Sequence, residues 1–242
     1  KMSLLLTLSA DLDQTIISRH DFVVLSASLT FIENSPSKWK DISGSFCGDK
    51  RQSPLNIVTS HVVTDSKLNN FTFVNFSSEH AIKSIVNTGH TGTQTKTSTL
   101  SGGGLNGTYS TIQFHFHWGD TEHHPGSEHT IDDHRYPMEV HNIVNYVLSL
   151  KATEDRNMSE AWSTLTSYLT NVTAEGSEVN INHSISINGL IGDVDLTKFY
   201  RYMGSLTTPM CNEAVAWTVF QEPINIHKDL VSWTGLTRVK GV

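Results

Sequence analysis

The sequence predicts a mainly β fold with few short helices, built as a single domain. Three observations carry this prediction. From Trp39 onward the chain consists of short β-favouring runs separated by clusters of Gly, Asn, Ser, Thr and Asp. The clearest of these runs alternates apolar and polar residues with period two, the pattern of a half-buried strand. Only one stretch shows strong helical spacing, and no internal repeat or low-complexity linker divides the chain.

Residues 1–35 are read as a leader or unplaced segment. Lys1 to Ala10 has a basic start, a short apolar run and small residues, and a second apolar run spans Phe22 to Ile32. An edge strand is the alternative reading of this stretch. Residues 36–242 carry the domain. Arg51-Gln52-Ser53-Pro54-Leu55-Asn56-Ile57 leads into an extended segment. Phe71 to Phe76 alternates as a strand, and Ile82 to Val86 forms another that ends at Asn87-Thr88-Gly89-His90. After a Thr-rich run, Ser101-Gly102-Gly103-Gly104 makes a break. Thr111 to Trp118 is predicted as one strand, Gly119 to His129 as a polar loop and Tyr136 to Val147 as the next strand region. The best helix begins near Ser159, a candidate cap, with Trp162, Leu165, Tyr168 and Leu169 at helical spacing. Ala214 to Phe220 is a strongly apolar strand.

The chemistry concentrates in Gln113-Phe114-His115-Phe116-His117-Trp118-Gly119. Side chains two apart on a strand leave the same face, so His115 and His117 point together and Phe114, Phe116 and Trp118 point the other way. A catalytic zinc site needs three protein ligands and one open position. His141, in Met138-Glu139-Val140-His141, is the candidate third ligand. Glu139 shares its strand face and is placed to hold a ligand imidazole or to lie just behind it. A surface histidine pair, or hydrogen-bonded core histidines, is the competing reading of the same spacing.

The totals exclude several classes. A formal net charge of -7 argues against a nucleic-acid partner. No run reaches the roughly 18 apolar residues of a membrane helix. Asn-x-Ser/Thr sequons stand at Asn70, Asn75, Asn106, Asn157, Asn171 and Asn182, which favours a secreted glycoprotein. In that setting the two cysteines, Cys47 and Cys211, read as a disulfide, and in a reducing compartment as two free thiols.

Taken in order, these segments resemble the α-class carbonic anhydrases. The resemblance rests on Arg51 to Ile57, Asn87-Thr88-Gly89-His90, Ser101 to Leu105, Gln113 to Gly119, Gly126-Ser127-Glu128-His129-Thr130 and Met138 to His141. It continues through Tyr202-Met203-Gly204-Ser205-Leu206-Thr207-Thr208-Pro209 and Val215 to Ile224. The cysteine pair and Cys211-Asn212-Glu213 look most like the extracellular, membrane-anchored type IV branch. The family fold is a large twisted, mostly antiparallel sheet with the metal at the base of a cone.

The resemblance implies an activity and a set of roles. The activity is reversible hydration of carbon dioxide to bicarbonate and a proton, by attack of a zinc-bound hydroxide, outside the cell and by a monomer. Zn²⁺ would sit on His115, His117 and His141, with Gln113 accepting from His115 and Glu139 from His141. Thr207 and Glu128 would orient the nucleophile, and His90 would shuttle the proton, as a residue titrating near neutral pH can. Thr208 would support substrate, with Leu206, Val215, Trp217 and Ile143 lining the apolar wall. Against the family pattern, the loop and strand after His141 read as shortened. The last strands and any lipid-attachment tail are absent, so the domain is expected to be truncated and incomplete at its C-terminus. A non-catalytic binding relative or an inactive truncated form is the alternative.

Overall fold

A computed structural model describes residues 2–4, 35–86, 98–111, 114–119, 125–142, 146–153, 159–169, 171–172, 174 and 176–228. In chain order the elements are β1 (Met2–Leu4), β2 (Asn56–Ile57), β3 (Phe71–Val74), β4 (Ser84–Val86), β5 (Ser98–Gly102) and β6 (Tyr109–Thr111). Then come β7 (Phe114–Trp118), β8 (Thr130–Ile131), β9 (His134–Arg135), β10 (Met138–Asn142) and β11 (Tyr146–Thr153). The chain continues with α1 (Glu160–Leu169), β12 (Glu178–Asn180), α2 (Ile187–Ile191), β13 (Phe199–Gly204), β14 (Val215–Phe220) and β15 (Ile224–His227). Strands outnumber helices, and most of the pairings are antiparallel. Among the described residues no helix is long and apolar enough to cross a membrane.

Two compact units are present. The first comprises, of the described residues, 2–4, 55–202 and 217–228. Its main sheet has the order β1-β7-β10-β11-β14-β13, with β15 also paired to β11. β7, β10 and β11 are antiparallel neighbours, while β11 runs parallel to β14 and β15. One face of β7 and β10 presents Phe114, Phe116, Met138 and Val140, all buried in the main hydrophobic core. Helix α1 lays Trp162, Leu165, Tyr168 and Leu169 on that core, and the rings of Phe116 and Trp162 meet edge-on at 5.9 Å. The indole N–H of Trp162 donates to the Leu190 carbonyl at 2.7 Å, which ties α1 to α2. Truncating a core side chain such as Leu165 to Ala costs about 2–5 kcal/mol in comparable settings.

Local chemistry marks where these elements stop. β3 ends at Asn75, whose φ of +64° takes the chain out of the strand. Beyond β5, Gly103 adopts φ +58°, and a Cβ there would stand 2.2 Å from the Phe71 ring, so no larger residue fits. Helix α2 is capped by Ser186, whose hydroxyl accepts from the Gly189 N–H at 3.0 Å.

The second unit comprises described residues 35–54 and 203–216. Cys47 and Cys211 form a disulfide across a sequence separation of 164. The Phe46 N–H donates to the Met210 carbonyl beside it at 3.0 Å. Ser53 and Ser205 cap each other reciprocally, each backbone N–H donating to the other's hydroxyl at 3.0 and 3.1 Å. Glu213 accepts from the Arg51 backbone N–H, from Arg51 Nε at 3.2 Å and from Gln52 Nε2 at 3.1 Å. The segment 205–213 is therefore held at both ends by residues 51–53, with the disulfide two residues before its second end.

In the expected strand Thr111 to Trp118, Thr111 belongs to β6, which pairs with β5, and Phe114–Trp118 form β7, which pairs with β10 and β1; positions 112 and 113 lie outside the described residues. After His141 the chain continues, past residues outside the description, into the eight-residue β11, antiparallel to β10. Of the stretch set aside as a leader, Met2–Leu4 pairs as an edge strand along β7. Ser159 precedes α1, but its hydroxyl donates to the Gly189 carbonyl at 2.6 Å. Period-two and helical spacing report local form; none of these features depends on local form alone.

Candidate metal centre

The register of β7 and β10 builds the site. In their antiparallel ladder Glu139 lies opposite His117 and His141 lies opposite His115. Alternation then puts all four side chains on one face of the sheet, opposite the phenylalanines. The three histidines offer ring nitrogens within 4.8 Å of one another. Their ring centroids are 5.0 Å apart for His115 and His117, 5.2 Å for His115 and His141, and 4.4 Å for His117 and His141. His117 and His141 are buried and His115 is half-buried. Burial, and then the neighbouring imidazoles of His141 and His117, hold the pKa of His115 well below its ordinary value, so the ring stays neutral. Neutral imidazoles are the form a metal requires.

Glu139 is fully buried and charged. Burial alone pushes its carboxyl up. The contact with His141 and the hydrogen bonds from His129 and His141 outweigh that, and they hold it well below the carboxylate range. It accepts from Nε2 of His141, from Nδ1 of His129 at 2.7 Å and from the His129 backbone N–H at 2.8 Å. The first of these bonds fixes the proton of His141 on Nε2 and leaves Nδ1 as the lone-pair nitrogen. The Tyr202 hydroxyl sits 2.6 Å from Nε2 of His129 and donates to it once Nδ1 carries the proton.

His129, Glu139 and His141 also lie close enough together to hold an ion. Their facing atoms are already bonded to each other, however, so this group is a hydrogen-bond network behind the first. The set His115, His117 and His141 fits a metal better: three imidazole nitrogens, with a carboxylate hydrogen-bonded behind one of them, suit Zn²⁺.

Glu128 places Oε1 3.7 Å from Nδ1 of His117 and Oε2 4.0 Å from Nδ1 of His141. Trp217 is buried with its ring centroid 5.0 Å from both His129 and His141. In the second unit Val215 is buried, Thr207 half-buried, and Leu206 and Thr208 exposed. His90, Gln113 and Ile143 lie outside the described residues.

Sequence reasoning missed two members of this network, His129 and Tyr202. Both stand in segments treated only as landmarks. A signal existed for His129: a buried, ionised Glu139 needs more donors than one imidazole supplies.

The chain matches the family model for eukaryotic-type carbonic anhydrase over residues 34–236. It is 34% identical over 215 residues to carbonic anhydrase 4 of Oryctolagus cuniculus, covering 81% of this chain and 68% of that protein. It is 32% identical over 225 residues to carbonic anhydrase 15 of Mus musculus, with 82% and 69% covered. To carbonic anhydrase 12 of Homo sapiens it is 31% identical over 202 residues, with 76% and 56% covered. The chain thus spans between 56% and 69% of the length of these relatives.

Proposed function

The chain belongs to the eukaryotic-type carbonic anhydrase family, and on that premise we propose that it binds one Zn²⁺ and catalyses the reversible hydration of carbon dioxide to bicarbonate and a proton. The observation that carries this reading is the cluster of His115, His117 and His141 with the buried Glu139 behind it. A bound Zn²⁺ would supply the Lewis acidity that makes water a nucleophile near neutral pH, an effect for which carbonic anhydrase is itself the reference case.

The chain's own residues do the rest. Glu139 orients the His141 ring and raises its basicity through the Nε2–H bond. His129 shares that carboxylate and, with the Tyr202 hydroxyl on its far nitrogen, keeps it from rotating. Glu128 brings a carboxylate close to the histidines, where it accepts hydrogen bonds but donates none. Trp217 packs an apolar ring beside His141 that helps exclude water from the site. By resemblance, Thr207 and Thr208 supply the hydroxyls that orient the reactants, Leu206, Val215 and Ile143 add to the apolar wall, Gln113 accepts from His115, and His90 passes the proton to solvent. The Cys47–Cys211 disulfide supports an oxidising, extracellular setting, and we assign the chain there as a monomer.

The test is stopped-flow CO₂ hydration by the purified chain, before and after zinc is removed with a chelator. Hydration that disappears with the metal, returns with added Zn²⁺ and is lost in His115→Ala supports the proposal. Folded, zinc-loaded protein without hydration overturns it in favour of a binding role.

A further inference from the structure

The strand pair that carries Glu128 and His129 is interrupted where those residues sit. Gly126 and Ser127 donate to the carbonyls of Pro137 and Tyr136, each at 3.0 Å. The next pairs are Thr130 with Arg135 and Ile131 with His134, closed by a turn at Asp132 and Asp133 with φ of +47° and +64°. Between the Ser127–Tyr136 and Thr130–Arg135 pairs one arm therefore advances three residues and the other one. Glu128 and His129 are the two extra residues of a bulge. Bulges re-aim side chains and break the ladder, so the freed backbone groups need new partners.

Those partners can be followed atom by atom. The His129 N–H goes to Oε2 of Glu139 at 2.8 Å, and the His129 carbonyl accepts from the buried Ser127 hydroxyl at 2.8 Å. The same hydroxyl accepts from the Tyr136 N–H at 2.9 Å. The carbonyls of Ser127 and Glu128 are both taken by one group, Nη1 of Arg135, at 3.2 Å in the case of Glu128. Arg135 is exposed and touches neither the histidine cluster nor Glu139 through any of these bonds.

We infer that Arg135 is a positioning residue for the metal centre: its guanidinium holds the bulge whose two extra residues aim the Glu128 carboxylate at His117 and His141 and the His129 ring at Glu139. The two carbonyls lie next to each other and share one donor group, so both bulged residues are fixed together. A planar guanidinium on a long stem meets that geometry, and a point-charge ammonium meets it only in part. The inference rests on the hydration reading for its catalytic consequence, but its geometric content does not.

The test compares Arg135→Met, Arg135→Lys and Arg135→Gln with the wild-type chain by three readouts. Proton NMR of the buried imidazole N–H groups of His129 and His141 reports the Glu139 network with or without catalysis. Zinc content and the separate kcat and KM for CO₂ hydration complete the set. The expected result for Arg135→Met is a displaced or broadened His129 N–H resonance, one retained zinc, and kcat lowered by about tenfold at unchanged KM. Arg135→Lys should recover part of both effects. Unchanged resonances and kcat in Arg135→Met overturn the inference, as does a change in KM alone. If the Met variant does not fold, Arg135→Gln and Arg135→Lys decide by the same readouts. A wild-type chain that fails to hydrate CO₂ overturns the functional reading instead, and the NMR comparison still decides the role of Arg135.

Discussion

His141 lies directly opposite His115 across the β7–β10 ladder, and two residues back Glu139 lies opposite His117. The histidine cluster is therefore a property of register. A slip of one residue would turn one strand's polar side chains into the core occupied by Phe116 and Val140. Burial of those apolar residues on the other face fixes the register, so core packing and site geometry are one constraint seen from two sides of the sheet.

The first prediction concerns Glu139→Gln. Two imidazole N–H groups and one backbone N–H converge on the carboxylate. Gln offers a single acceptor oxygen and turns an amide NH₂ toward donors, so at least one buried N–H loses its partner. Zinc affinity should fall about 10–100-fold, and stability by about 3 kcal/mol, as for removal of one partner from a buried charged network. Chelator competition and urea unfolding measure the two effects. A variant with wild-type zinc affinity would show that the carboxylate does not tune His141.

The second prediction concerns the disulfide. It joins residues separated by 164 positions, for which the chain-entropy model gives about 5 kcal/mol. Cys47→Ser with Cys211→Ser should lower unfolding stability by about 2–5 kcal/mol, read as a lower urea midpoint. An unchanged midpoint would show that the hydrogen bonds from residues 51–53 hold segment 205–213 unaided.

The third prediction follows from Asp195. The Thr197 hydroxyl and N–H donate to its carboxylate at 2.6 and 3.0 Å, with Lys198 Nζ 3.1 Å from its other oxygen. These contacts lower its pKa from the ordinary 3.8 to about 2, the Thr197 side chain first. The folded value lies below the unfolded one, so the unfolded chain binds more protons between them. The resulting stability is present above pH 3.8 and is lost as pH falls toward 2. Asp195→Asn should flatten that acid limb in unfolding curves, and the difference should shrink in high salt because the site is exposed. An identical acid limb in both proteins would contradict the assignment.

Much of the centre was legible in the sequence because it obeys short-range rules. His115 and His117, and Glu139 and His141, are pairs two residues apart, and strand alternation alone puts each pair on one face. The buried stripe of α1 was readable from Trp162, Leu165, Tyr168 and Leu169 in the same way. The illegible parts depend on distant partners. Nothing local in Gly126 to Thr130 announces a bulge, since it exists only as a mismatch with Arg135 and Tyr136. Tyr202 comes to His129 from 73 residues away, and Ser159 gives its hydroxyl to Gly189 because the two helices pack together.

Zinc titration of the metal-free chain, followed by CO₂ hydration on the same sample and on His141→Ala, asks whether the histidine cluster is a catalytic metal site. The expected result is one Zn²⁺ per chain, hydration that rises with zinc occupancy, and loss of both tight binding and hydration in the variant. Folded protein that takes up no zinc, or that hydrates CO₂ equally well in His141→Ala, would contradict it.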